Sequence, residues 1–543
     1  MDRRALLAVV LSLLVLVVYE QFLRHYYTPA LPLESAEERG TPAPEARGPA
    51  RPELPAAEPE RRQDVAPAPP SAPERIVSVE TPLYLARFSS HGARLVSFRL
   101  KRYRTTVEPT SPPLELVLPP SDGESPFALQ LRTPGASQPW RDVGLSYDAD
   151  KSELVLSETG DTLTFRARVN GMAITKRYVF EPTNYSFRAE VVVEDPLATN
   201  GEVGLSWSRA PEPKAAREHV FTKVAYLQGK KLIEKQFSEL DKGVVVEGDL
   251  RWTAFSGSYF LSAVAVEEAE APRLWLKLRG DIEQTVLVPV RSPMTKLTVT
   301  AYLGPKDIDT LEAAGHQFSR AVDLGWFGFI AVPLLHVMQL FHRFTGNYGV
   351  DIVLLTLLVK ILFIPLTNSS FRSMRELQRL QPEMMRIREK YKDDPQQLNK
   401  EIMELYRRHR VNPLGGCLPM LLQLPVFIGL YSALTHAVEL RHAPFMLWIN
   451  DLSAPDRLGS VPIPFVEPPG VPVLTLLMGA SMFWQTWMSP STGDPAQRQV
   501  MLIMPLMFTF MFINFPSGLT LYWLVNNLLT IAQQYYMTRK GST

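Results

Sequence analysis

The chain has 543 residues, of which 46% are apolar and 21% charged, with a formal net charge of +1. That length predicts more than one domain, and the single cysteine, Cys417, excludes an intrachain disulfide framework. The net charge decides little, because charges sit in blocks on particular loops while the first 27 residues and roughly the last 200 are strongly apolar.

Met1 to Tyr27 opens with Arg3 and Arg4 and then runs from Ala5 to Tyr19 without a charge. A cleaved signal peptide competes with an uncleaved signal-anchor helix over 1–27. No small-x-small cleavage pattern follows the apolar core, which favours the anchor with its N-terminus in the cytoplasm. Residues 28–74 hold twelve of the 47 prolines and almost no aromatic or β-branched side chains. Such a segment buries too little surface to fold, and it reads as a disordered Pro/Ala-rich linker.

Residues 75–318 change period to two. Leu163, Phe165, Ala167 and Val169 alternate with polar neighbours, Asn170-Gly171 marks a hairpin turn, and a second strand continues through Ile174 and Tyr178. The expected fold is a large antiparallel β-sandwich. It shows no catalytic constellation, and His91 and His219 stand alone in the sequence.

Residues 324–344 are ambiguous. Their hydrophobicity permits a membrane span, but His336, Gln339, His342 and Arg343 recur at helical spacing opposite Leu335, Val337, Met338 and Phe341. That pattern fits an interfacial amphipathic helix.

Residues 348–366, YGVDIVLLTLLVKILFIPL, form a span of about 28 Å at helical rise, interrupted only by Asp351 and Lys360 among charged residues. A lysine within a membrane helix costs about 2.5 kcal/mol or more near the bilayer centre, and Thr356 shares its face one turn earlier. Residues 371–410 then carry eleven Lys and Arg against seven Asp and Glu, with apolar residues at three-four spacing on both sides of Asp394-Pro395. This is a helical hairpin, read either as two solvated helices packed on each other or as a docking site. Four further apolar segments follow at 417–434, 471–487, 500–515 and 518–536. With 324–344 on the surface there are six spans, and the arginines at the start, the basic hairpin and Arg539-Lys540 all fall on one side. The β-domain and the acidic loop 435–470 fall on the other, as the positive-inside rule requires.

Polar residues recur inside these spans: Gln423, Gln485, Thr509, and Tyr522, Asn526, Thr530 and Gln533 on one face of the last. Polar groups in lipid need partners or water. A hydrated cavity facing Lys360 accounts for them; a bundle held by interhelical hydrogen bonds, with Lys360 reaching to the interface, is the competing account. Neither a phosphate-binding loop nor a metal-ligand cluster appears in the sequence, so no cofactor, covalent chemistry or specific nucleic-acid site is expected.

The runs GNYGVDIVLLTLLVKILFIPLT, LYRRHRVNPLGGCLPMLLQLPVFIGLY, ELRHAPFMLWINDLS and FPSGLTLYWLVNN resemble the YidC/Oxa/Alb insertase family, as do GPKD at 304–307 and WTAFSGSYF at 252–260. The resemblance covers nearly the whole chain. It implies a polytopic α-helical membrane protein with a five-helix insertase core over 348–538, in which a groove opens to cytoplasm and lipid. Lys360 (usually arginine in the family), Thr356, Gln423, Asn526 and Thr530 would line that groove, with Tyr522 and Trp523 where the family contacts substrate helices. It further implies insertion of nascent membrane proteins, alone or with the Sec translocon, in the bacterial inner membrane. The ribosome and targeting factors would meet the hairpin, and lipids the outer faces. A small-solute transporter and a membrane-anchored sugar-acting enzyme are the alternatives; the former predicts an inverted repeat, which the spans lack.

Overall fold

The computed structural model describes residues 73–540 apart from 119–125, 134–138, 195–200, 211–219, 268–271, 280, 393, 410, 412–417, 465, 467 and 489–494. The expected anchor helix, all but the end of the linker, His219 and Cys417 lie outside the described residues.

Alternation in the sequence becomes a sandwich through register. Strands Asp161–Val169 and Met172–Phe180 pair antiparallel with Met172 opposite Val169. Asn170 (φ 50°) and Gly171 (φ 84°) form the two-residue turn between them, both in the left-handed region that such a hairpin demands. Met172, Ile174, Lys176, Tyr178 and Phe180 all fall on the buried face. In the nine-stranded sheet, the strand Met294–Pro305 lies between Ser186–Glu194 and Phe260–Val266. Sheets of five and six strands cover the Tyr178 side: Phe88 from the first meets that ring at 4.6 Å, and Phe127, at the start of the second, at 5.5 Å. The antiparallel expectation has one exception among the described residues. Ile76–Glu80 pairs parallel with Glu153–Val155, two strands far apart in sequence that no hairpin signal connects.

One charge pair lies inside this core. The Lys176 ammonium sits 2.7 Å from Asp142 Oδ2, both side chains fully buried, and also donates to the carbonyls of Gly92 and Phe127. Asp142 is further satisfied by the Leu129 amide and the Tyr147 hydroxyl. Every hydrogen of the ammonium thus has an acceptor, as burial of a charge requires.

The second half is helical. Its helices are α1 (Ile308–Ala314), α2 (Gly328–Thr345), α3 (Tyr348–Arg379), α4 (Gln381–Lys390), α5 (Pro395–Arg408), α6 (Leu418–His436), α7 (Val473–Met488), α8 (Pro495–Phe512) and α9 (Ser517–Lys540). By length and composition, α3 can cross a membrane, and Met501–Phe512 within α8 is a shorter apolar stretch. Asn347 caps α3 by accepting from the amides of Gly349 and Val350. The helix then runs without a break past Leu366 to Arg379, so the span and the start of the hairpin are one rod. It ends where Pro382 starts α4, a position that spares the missing N–H. Asp394 caps α5, and Leu380, Met384 and Leu405 close the hairpin seam.

In α2 the amphipathic pattern resolves differently from a simple wet face. Gln339 and His342 turn to protein partners, Glu439 and Asp351, while Phe329 and Phe344 on the helix and Trp326 just before it stand exposed. Met338 and Ala331 are buried beneath the helix.

Candidate functional site

Two helices distant in sequence, α3 and α9, are stitched together by polar side chains along the lower half of the bundle. Lys360 Nζ donates to Thr530 Oγ1 at 2.7 Å. Two turns further, Gln533 Nε2 donates to Asn368 Oδ1 at 2.9 Å, and beyond that the Arg375 guanidinium donates to the Met537 carbonyl. Thr530 also returns a hydrogen bond to the Asn526 carbonyl, one turn earlier, at 2.6 Å. No carboxylate pairs with Lys360 among the described residues. Its ammonium is therefore anchored but not neutralised. Around it, Ile361 and Leu362 are exposed on the outer side of α3, so the charge marks the edge between a polar interior and an apolar surface.

On the same face of α9, Tyr522 lies two turns towards the other end, and its hydroxyl accepts from Gln423 Nε2 of α6 at 3.3 Å. Thus the geometry brings Lys360, Thr530, Asn526, Tyr522 and Gln423 together along one stripe. Two expected members sit differently. Thr356 is 1% exposed and donates to the Ile352 carbonyl of its own helix, which removes it from an open wall. The Trp523 ring is packed among Phe427, Phe508 and Phe512, with centroids 4.9, 6.1 and 5.3 Å away. One residue's rotation from Tyr522 carries Trp523 out of the polar stripe and into that apolar cluster.

The sequence reading missed a second stripe on α9. Asn527 donates to Ser481 of α7 at 3.2 Å, and Gln534 to the Met488 carbonyl at 3.1 Å, all three polar side chains buried. Their spacing of seven on α9 was a usable signal. Asn368 and Arg375 were also missed, although they follow Lys360 by eight and fifteen residues. At Gly479 of α7, an added Cβ would run into the Thr509 side chain of α8, so glycine sets how closely these helices approach. The α6 helix meets α8 through Phe427–Phe512 at 6.0 Å and the turn after α8 through Tyr431–Phe515 at 5.5 Å.

A β-sandwich joined to a helical bundle that buries a polar seam beneath an apolar exterior defines a membrane protein with a large domain outside the bilayer. Two sequence models match the chain in tandem, the YidC periplasmic domain over residues 76–337 and the 60Kd inner membrane protein over 340–543. A protein of Syntrophobacter fumaroxidans named membrane protein insertase YidC is 41% identical, over 99% of this chain and 100% of its own. One of the same name from Geobacter sulfurreducens is 39% identical over 86% of each. A crystal structure described as an active YidC insertase with its first transmembrane domain resolved covers 85% of this chain and 95% of that chain, at 18% identity and a TM-score of 0.38. The chain belongs to the YidC family.

Proposed function

We propose that the chain is a membrane protein insertase of the bacterial inner membrane, acting on nascent membrane proteins and not through covalent catalysis. Two relatives carry that name over 99% of the chain. The observation that carries the mechanism is the Lys360 ammonium, held by Thr530 in the apolar stretch of α3 and paired with no carboxylate among the described residues. A polar or acidic segment of the substrate enters the stripe formed by Lys360, Thr530, Asn526, Tyr522 and Gln423. There the charge and the side-chain dipoles lower the cost of taking it partway across. The apolar segment of the substrate slides along the outer faces of α6 and α9 and partitions into lipid at roughly 0.8 kcal/mol per buried CH₂.

In this reading the chain spans the membrane six times, through 1–27, 348–366, 417–434, 471–487, 500–515 and 518–536. Both termini and the hairpin 371–410 lie in the cytoplasm, the β-domain 75–318 lies in the periplasm, and 324–344 rests on the outer interface. The basic hairpin receives ribosome or targeting factors, and the Sec translocon shares substrates. Charge distribution supports this arrangement.

The test follows insertion of a single-span substrate with an acidic N-terminal tail in cells depleted of the native insertase. Lys360→Arg should retain insertion, whereas Lys360→Ala and Lys360→Glu should lose it progressively. Wild-type insertion by the Ala and Glu variants would defeat the mechanism. Deletion of 80–300 should leave most insertion intact.

A further inference from the structure

The turn that follows α6 is shared between two hydrophobic cores. Val438 is 2% exposed and, among the described residues, is the one buried side chain beyond Ala321 that belongs to the β-domain core. Ala437 and Leu440 on either side of it are buried in the core of the helical bundle instead. Arg441 turns back to the β-domain. Its guanidinium donates to the carbonyls of Arg104 and Thr105 at 2.9 and 3.4 Å and lies over the Phe260 ring. Those carbonyls are held in place, because the Arg104 side chain ties its loop back by donating to the carbonyls of Pro109 and Ser111. Further along, the Phe445 carbonyl accepts from Asn347 Nδ2 at the cap of α3, at 3.0 Å. The carbonyls of Asp451 and Leu452 accept from Ser517 Oγ and the Gly518 amide at the start of α9, at 2.7 and 2.9 Å. Residues 437–452 thus join the start of α3, the end of α6 and the start of α9, and they reach the β-domain through Val438 and Arg441.

Elsewhere the junction is slight. The chain passes from Ala321, in the β-domain core, to Leu324, which is buried against Ala331 and Ala433 and accepts from Ser432 Oγ at 2.8 Å. Val322 and Asp323 are therefore the covalent pivot between the halves, and a few loop residues suffice for a hinge. Beside the turn the halves do not close: a cavity lies between Lys306 and Ile308 on one side and Leu335, His336 and His436 on the other. Separation at the turn uncovers one small apolar side chain and trades neutral carbonyl acceptors of Arg441 for water, so neither core has to open. We propose that Val438 and Arg441 form a clasp that seats the β-domain on the membrane core, and that its release lets the domain swing about Val322 and Asp323 with both halves still folded. The clasp lies apart from Lys360 and Thr530, goes beyond the insertase reading, and stands or falls independently of it.

Maleimide labelling of the full chain in lipid nanodiscs tests this, with the single native thiol removed by Cys417→Ser and one cysteine introduced at a time. The labelling rate of a buried thiol follows the population in which it is open. Arg441→Ala should speed labelling of Val438→Cys about tenfold or more, since it removes hydrogen bonds from a charged donor. Ala263→Cys, deep in the β-domain core, and Leu440→Cys, in the bundle core, should label at unchanged rates. An unchanged rate at Val438→Cys overturns the clasp. So does an equal rise at Ala263→Cys, which means unfolding of the β-domain, or at Leu440→Cys, which means that the turn leaves the bundle. If Val438→Cys does not fold, nitroxides on the exposed positions Glu158→Cys and Ser460→Cys decide. A longer or broader distance distribution in Arg441→Ala than with Arg441 intact supports release, and an identical one overturns it.

Discussion

Lys360 and Thr530 stand 170 residues apart in the chain and 2.7 Å apart in space. The hydroxyl holds the ammonium against α9 and stops it reaching along its own helix to the membrane surface. A hydroxyl is an acceptor without charge, so the pairing orients the lysine while leaving its field available to a third group.

Thr530→Val removes that anchor and keeps the charge. The bond should be worth about 0.6 kcal/mol, the average for interhelical hydrogen bonds in a bilayer. Insertion of an acidic-tailed substrate should drop less than in Lys360→Ala. Equal losses in the two variants would mean that orientation, not charge, is what the substrate uses.

Gly479 of α7 faces the Thr509 side chain of α8 with no room for a Cβ between them. Gly479→Ala should destabilise the bundle by about 1–3 kcal/mol, as overpacking commonly does. Adding Thr509→Ala should recover most of the loss. Thermal unfolding in detergent reads both, and a Gly479→Ala protein that unfolds like the wild type would show that the helices part without strain.

Inside the β-domain, Lys176→Met strands the Asp142 carboxylate and should cost about 3–5 kcal/mol. Asp142→Leu should cost a similar amount, and the double variant Lys176→Met/Asp142→Leu less than the sum. A double-mutant cycle on the full chain, monitored by tryptophan fluorescence in denaturant, gives the coupling. An additive cycle contradicts a mutually dependent pair.

Burial, and to a lesser extent the Lys223 charge, lower the Lys306 amine to about 8. An unfolded lysine stays protonated to about 10.4, so between the two values the unfolded chain binds more protons and stability rises with pH. The β-domain should therefore melt at a higher temperature at pH 9.5 than at pH 8. Lys306→Met should remove that rise, and an unchanged rise would assign it to another group.

Local chemistry made much of this readable in the sequence. Asn170-Gly171 announces its hairpin because only a few residues tolerate two positive φ values, and Lys360 announces itself because charge is costly in lipid. The Lys360–Thr530, Gln533–Asn368 and Asn527–Ser481 pairs were not readable as pairs, since each joins helices whose relative rotation comes from packing. Thr356 illustrates the same limit: it precedes Lys360 by one turn, yet neighbouring side chains cover it and its hydroxyl turns to its own backbone. Pro382 in the first turn of α4 is a signal for the break before it, but the continuity of α3 through Leu366 and Thr367 was not readable, because a change from apolar to charged residues marks a change of solvent and not an end of helix.

That continuity has a mechanical consequence. At about 1.5 Å per residue, the 32 residues of α3 make a shaft of roughly 48 Å. Lys360 rides on it above the hairpin, with Pro365 between as its natural point of flexure. Torque applied by a bulky particle to α4 and α5 reaches the lysine through two joints, the break at Leu380 and the proline. Those two joints set how much of that push is transmitted and how much is absorbed.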